Sequence, residues 1–271
     1  MNNFKKIGLS ALAGSLAAIT TANAVDMAVS GSAKLTYKNG HTTEVNGNPF
    51  GMNTSLGFSG TGDVNGYDTT LFIQTIDKFG GMTSGSLSVD LGDMGKLTFD
   101  QGTGAGGIST IDDKTPSANE EVWDGLDAIT GDTNGLVGGG NNGAFVYANS
   151  YGDTAFTGQL TKGASSANSD DATGGEGSVG TSWDFALTNA SLAEGMSVGA
   201  GYGQIATALT TGQNADSESE HMTAFVNYSV GMVTAGAQMS WVEDASAGGD
   251  SEEATGWGIA VNLMDGISVS Y

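Results

Sequence analysis

The chain has 271 residues, with 45 glycines, two prolines, no cysteine, no arginine and a formal net charge of −22. So acidic a chain lacks the clustered Lys and Arg that grip phosphate, which excludes nucleic acid as a partner. Without cysteine there is neither a disulfide framework nor a thiolate metal site.

The first element in chain order is a leader. Lys5 and Lys6 precede the apolar run IGLSALAGSLAAI, and Ala22-Asn23-Ala24 supplies a small-residue cleavage site, so residues 1–24 read as a secretory signal peptide. The mature chain, 25–271, then sets six lysines against all 30 carboxylates, a formal charge of −24. No later stretch reaches the roughly 18 apolar residues of a membrane helix. Strands that cross a membrane by alternation remain open.

From Met27 to Tyr37 apolar or small residues alternate with polar ones, the period of a two-faced strand. The pattern recurs at Leu56 and Phe58, at Tyr67, Leu71 and Ile73, at Leu87 to Leu91, and at Leu97 and Phe99. It resumes at Phe145 and Tyr147, at Phe156 to Leu160, at Val179 to Leu187 and at Met196 to Tyr202. Runs from Met222, Val233 and Trp257 come next, and then a stub of Ile267, Val269 and Tyr271, which makes thirteen predicted strands.

The expected connections alternate in length, with only the equally long pair 77–84 and 188–195 blurring the pattern. Those at 38–53, 77–84, 101–143, 163–177, 206–221 and 243–253 are the longer set, and those at 61–66, 92–95, 151–153, 188–195, 230–232 and 264–266 the shorter. In an antiparallel meander this puts tight turns at one end and long polar loops at the other, the layout of an outer-membrane barrel. The polar face carries the lumen-facing candidates Lys34, Gln74, Asp90, Asp100, Gln159, Asp184, Asn227 and Gln238. A sandwich would bury its apolar faces against each other; a membrane barrel turns its apolar face to lipid and its polar face to water. Alternation fits both. The turn–loop rhythm, the aromatics near strand ends and the leader favour the barrel.

The predicted fold is therefore all-β, an antiparallel up-and-down transmembrane barrel. Bacterial barrels of one chain have even strand numbers, so the five-residue final run predicts a sequence cut short at its C-terminus, one barrel domain over 25–271. The alternative is a true end at Tyr271, with one short strand miscounted.

Gly102, Gly104 and Gly107 form a G-x-G-x-x-G after a strand, the cue for a dinucleotide site. The stretch after Gly107 contains Pro116, has no helical apolar spacing and leads to no parallel strand, so no cofactor is expected. These glycines are read instead as the hinge where a strand passes into the longest loop. That loop contains Asp112, Asp113, Glu120, Glu121, Asp124 and Asp127. Carboxylates in a narrow aqueous lumen favour cations; on an outer loop they are ordinary hydrated charge.

The acidic stretches near Asp132, Asp170 and Asp216 lack the full spacing of a calcium loop, so no metal site is predicted. His41 and His221 fall in two different predicted loops and are expected to be solvent-exposed. Neither G-x-S-x-G nor H-E-x-x-H occurs, and no catalytic residue is assigned.

The turns Gly62-Asp63-Val64-Asn65-Gly66 and Gly92-Asp93-Met94-Gly95, the stretch from Asp93 to Phe99 and the long segment after it resemble the general porins of Gram-negative outer membranes. The resemblance implies a 16-stranded barrel, a homotrimer, contact with outer-membrane lipid and lipopolysaccharide, and passive diffusion of small hydrophilic solutes and ions. It also implies that 101–143 folds inward as the constriction loop. Two departures stand out. The chain has none of the arginines that line many such pores, and of the mature lysines only Lys34 is placed on a lumen face. The proline-containing acidic motif of enteric porins is missing as well. The leading expectation is a cation-preferring porin and not an enzyme. The rivals are a secreted or surface-attached acidic β-rich adhesive protein, and an outer-membrane barrel hydrolase.

Overall fold

A computed structural model describes residues 26–37, 50–76, 83–103, 106–118, 142–162, 181–206, 218–243, 251–265 and 267–271. The predicted signal peptide lies outside the described residues, as do His41, Gly104, Glu120, Glu121, Asp124 and Asp127.

The chain is all-β. Its strands are β1 (Asp26–Tyr37), β2 (Phe50–Val64), β3 (Tyr67–Ile76), β4 (Ser84–Asp90), β5 (Lys96–Gln101), β6 (Asn142–Tyr151) and β7 (Thr154–Lys162). They continue with β8 (Thr181–Asn189), β9 (Met196–Ala206), β10 (Glu218–Val230), β11 (Val233–Glu243), β12 (Glu252–Met264) and β13 (Ile267–Ser270). They form one 13-stranded sheet in sequence order. Two compact units divide the chain, residues 1–91 with β1–β4 and residues 92–271 with β5–β13.

Each predicted run is a strand, save that Val179 lies outside the described residues, and two are longer than the apolar pattern implies. β2 begins at Phe50, whose ring meets Tyr37 across the pair at 5.1 Å. At its other end β2 runs through Gly62 and Asp63, so the turn is only Asn65-Gly66, between the paired Val64 and Tyr67. Both turn residues have positive φ, 56° and 86°, as a type I′ hairpin turn requires. The Asp63 carboxylate accepts from the Gly66 amide at 3.1 Å. β10 begins at Glu218, where the predicted loop 206–221 gives way to pairing of Glu218 with Ala206 and His221 with Gly203. A strand that outruns its apolar band keeps its hydrogen bonds but loses the hydropathy signal.

The strand bounds sharpen the rhythm of the connections. Those at 65–66, 91–95, 152–153, 190–195, 231–232 and 265–266 are short, and every intervening one is longer.

Burial in the second unit is inverted relative to a water-soluble sheet. On one face Phe145, Leu160, Trp183, Leu187, Met222, Val226, Met239, Trp257 and Ile259 are exposed. On the other Asp100, Gln159, Thr161, Ser182, Asp184, His221, Thr223, Gln238 and Ser240 are buried. The bare face carries a continuous aromatic patch across β6–β9: Tyr147, Phe156, Phe185, Trp183 and Tyr202 touch in sequence, with ring centroids 5.6–6.4 Å apart. In the first unit Val29, Leu35, Leu71 and Leu87 are likewise exposed.

Candidate functional site

The polar face of the second unit is covered by the chain itself. Residues 106–118 cross it from β7 to β12, starting with a short 3-10 turn at Gly107–Ile111. The crossing segment is fixed at each strand in turn. The Gly107 amide donates to Thr157 Oγ1 on β7 at 3.0 Å, and the Ile108 amide to Asp184 Oδ1 on β8 at 2.6 Å. Opposite β9 the wall is glycine: a Cβ on Gly201 would press into Ile108 and Ile111. Ile108 and Ile111 are fully buried and pack with Ala186 and Phe225, with Val242 against them.

On β11 the amide of Gln238 reads the segment's backbone in both directions. Its Oε1 accepts from the Lys114 amide at 2.7 Å, and its Nε2 donates to the Ile111 carbonyl at 2.9 Å and the Asp112 carbonyl at 2.5 Å. Asn227 Nδ2 on β10 donates to the Lys114 carbonyl at 2.7 Å. At β12, Gly258 leaves room for the Pro116 carbonyl, which a Cβ there would strike. Apolar burial supplies adhesion, and the side-chain amides fix the register.

Asp184, Asn227 and Gln238, three of the predicted polar-face residues, are thus brought together by one segment. Gln159 is buried beside Gly107. Asp100 is buried at the end of β5, where its carboxylate accepts from the Thr103 amide at 3.2 Å and from the Thr103 hydroxyl. Lys34, Gln74 and Asp90 belong to the first unit; Lys34 and Asp90 are exposed, and Gln74 is half-buried. Of the predicted hinge glycines, Gly102 and Gly107 have φ of 84° and 65°.

Asp113 is exposed, whereas Asp112 is half-buried. Burial raises the Asp112 carboxyl above its ordinary value, against the lowering effects of the Asp113 and Asp112 amides and the Lys114 charge.

His221 corrects an expectation. It lies in β10 with 6% of its surface exposed, and its Nδ1 has no partner among the described residues. The cause is the length of β10: Ser219, His221 and Thr223 alternate onto the covered face, and Glu218 and Glu220 on either side of Ser219 give the stretch the composition of a loop.

Sequence reasoning also passes over Ile108, Ile111 and Lys114. The isoleucines, three apart in an otherwise polar, glycine-rich loop, are the available signal. Lys114 has none, because its place depends on contacts made more than a hundred residues away.

Neither the protein-family models nor the curated proteins contain a match to this chain. Among solved structures it is similar to bacterial porins. An engineered mutant of Rh. blastica porin matches at 13% identity with a TM-score of 0.47, covering 91% of this chain and 92% of that one. Salmonella typhi OmpF in complex with daunomycin matches at 12% identity with a TM-score of 0.45, covering 88% of this chain and 73% of that one.

Proposed function

We propose that the protein is an outer-membrane porin, exported by cleavage of residues 1–24, whose strands belong to a transmembrane barrel around a water-filled channel. The observation that carries this reading is the inverted burial: aliphatic and aromatic side chains stand bare on one face, while carboxylates, amides and hydroxyls are enclosed on the other. In water that arrangement forfeits the hydrophobic driving force, at about 25 cal/mol for every Å² of apolar surface left exposed. In a bilayer it is the stable one, because the solvent outside is hydrocarbon and the water is inside. From β2 to β12 each strand has a hydrogen-bonded neighbour on both sides, the pairing a membrane requires.

Residues 101–143 form the constriction, with Gly102, Gly104 and Gly107 as hinge and Asp112, Asp113, Glu120, Glu121, Asp124 and Asp127 as candidates for its charge. The crossing segment 106–118 supports this, because it already lies over the polar wall. Carboxylates there lower the potential and favour cations over anions. A homotrimer set in lipopolysaccharide rests on the resemblance alone.

Protein refolded into planar bilayers should conduct, and its reversal potential under a potassium chloride gradient should carry the sign of potassium permeation. Anion preference would remove the constriction charge assignment. Recovery of the protein from the medium without detergent would replace the porin by the secreted adhesive alternative.

A further inference from the structure

Beside the crossing segment, the wall of β6–β8 is hollowed out. The hollow holds about 420 Å³, enough for a small solute. The short side chains of Ala148, Ala155 and Ala186 line it. Around it stand the hydroxyls of Thr110, Ser150, Thr157 and Thr188. Among the residues lining it only one is charged, and that one is Lys114.

In a chain with 30 carboxylates and eight lysines, the charged side chain lining this hollow is a lysine, while the Asp112 carboxylate that feels its charge stands outside the lining. Lys114 is also held there. Gln238 and Asn227 grip its backbone on both sides, so the ammonium is presented from a fixed point. Two of the hydroxyls keep hydrogen-bonding capacity: Thr157 Oγ1 accepts the Gly107 amide, which leaves its own proton to donate, and Thr110 Oγ1 donates to the Gly107 carbonyl, which leaves lone pairs to accept. A single ammonium among hydroxyls matches one carboxylate on a body rich in OH groups. A phosphate dianion would call for a fork or a cluster of cations.

We propose that the hollow between the crossing segment and β6–β8 is a binding subsite for small polyhydroxylated monocarboxylates of the sugar-acid type, with Lys114 as the carboxylate partner. The inference rests on the porin reading for its meaning, since it makes the channel hold one class of anion against its overall charge. Its chemistry rests on the hollow alone. Such a subsite gives saturable passage: the solute is drawn from bulk water to a site weak enough to release it again.

The test uses the full chain refolded in detergent micelles, with D-gluconate as probe, D-glucose as the same shape without charge, and propionate as the charge without hydroxyls. Calorimetric titration should give saturable gluconate binding, weaker by about tenfold or more for each of the two controls. Lys114→Gln should weaken gluconate by about tenfold and leave glucose unchanged. Ala155→Leu, which fills the hollow without touching the charge, should weaken gluconate as well, and it carries the test if the lysine variant does not fold. Unsaturable gluconate, glucose binding as tightly, or a folded Lys114→Gln variant with unchanged affinity each overturns the proposal. Bilayer conductance is read separately. Binding without conductance keeps the subsite and removes the porin, and conductance without binding does the reverse.

Discussion

At Gly107 two constraints meet on one atom. The backbone has φ of 65°, and a Cβ would fall on the Asp184 carboxylate while crowding the Cβ of Gln159. Either the crossing segment lifts or the carboxylate turns away from the Ile108 amide that it accepts. Gly107→Ala should therefore loosen the segment by about 1–3 kcal/mol, from backbone strain together with a misplaced charged acceptor. Faster protease cleavage within 106–118, with the barrel strands still protected, would display it; unchanged cleavage would refute it. Asp112 makes a pH prediction. Because burial raises its carboxyl above the ordinary 3.8, it takes up a proton before a free carboxylate does as the pH falls. The proposed cation preference should begin to decline at a higher pH than a free carboxylate would give, and Asp112→Asn should remove that early part of the curve. The linkage has the same sign. The folded segment binds this proton more tightly than the unfolded chain, so the contribution of Asp112 to docking is fully present below pH 3.8 and is lost as the pH rises through the raised value. A selectivity curve identical in the Asp112→Asn variant would place the titrating charge elsewhere.

Among the elements, the strands are legible in the sequence and the path of the loop is not. A strand's faces are set by neighbours two residues apart, so the alternation of Trp183, Phe185 and Leu187 with Ser182, Asp184 and Ala186 reads directly as β8. The ends of β2 and the polar extension of β10, carrying Glu218 to His221, escape that signal. The crossing segment has no period of its own. It is placed by Gly201, Phe225 and Gln238, residues of other strands whose roles emerge only once the sheet has aligned them. For the same reason Asp184 and Gln238 are legible as polar-face residues but not as clamps. If apolar burial holds the segment down, Ile108→Ala together with Ile111→Ala should release it, since each truncation of a fully buried isoleucine costs about 2–5 kcal/mol. Single-channel conductance should then rise and cation preference weaken, as the charged segment leaves the lumen wall. A double variant with the conductance of the parent would mean that the side-chain amides alone suffice.

For the whole molecule, the choice between lipid and water outside the sheet fixes the meaning of everything enclosed by it. The two environments assign opposite costs to the same substitution. Val226 stands on the apolar face of β10 between Met222 and Tyr228, 43% exposed. Were that face wet, Val226→Arg would be an ordinary surface change, within about 0.5 kcal/mol of neutral. Facing hydrocarbon, it would cost about 2–4 kcal/mol near the bilayer midplane and less toward the edges. Urea titration of folding into lipid vesicles separates these values by more than the error of the extrapolation, provided that the slope with denaturant is unchanged. A second arginine at Tyr228, nearer the tight turn at 231–232, should cost less than the one at Val226, because depth rather than apolarity sets the penalty. Equal and small costs at both positions would mean that water covers this face, and with it the channel reading would fall. A large cost at Val226 that declines toward the turn would fix both the bilayer and the direction of its normal along β10.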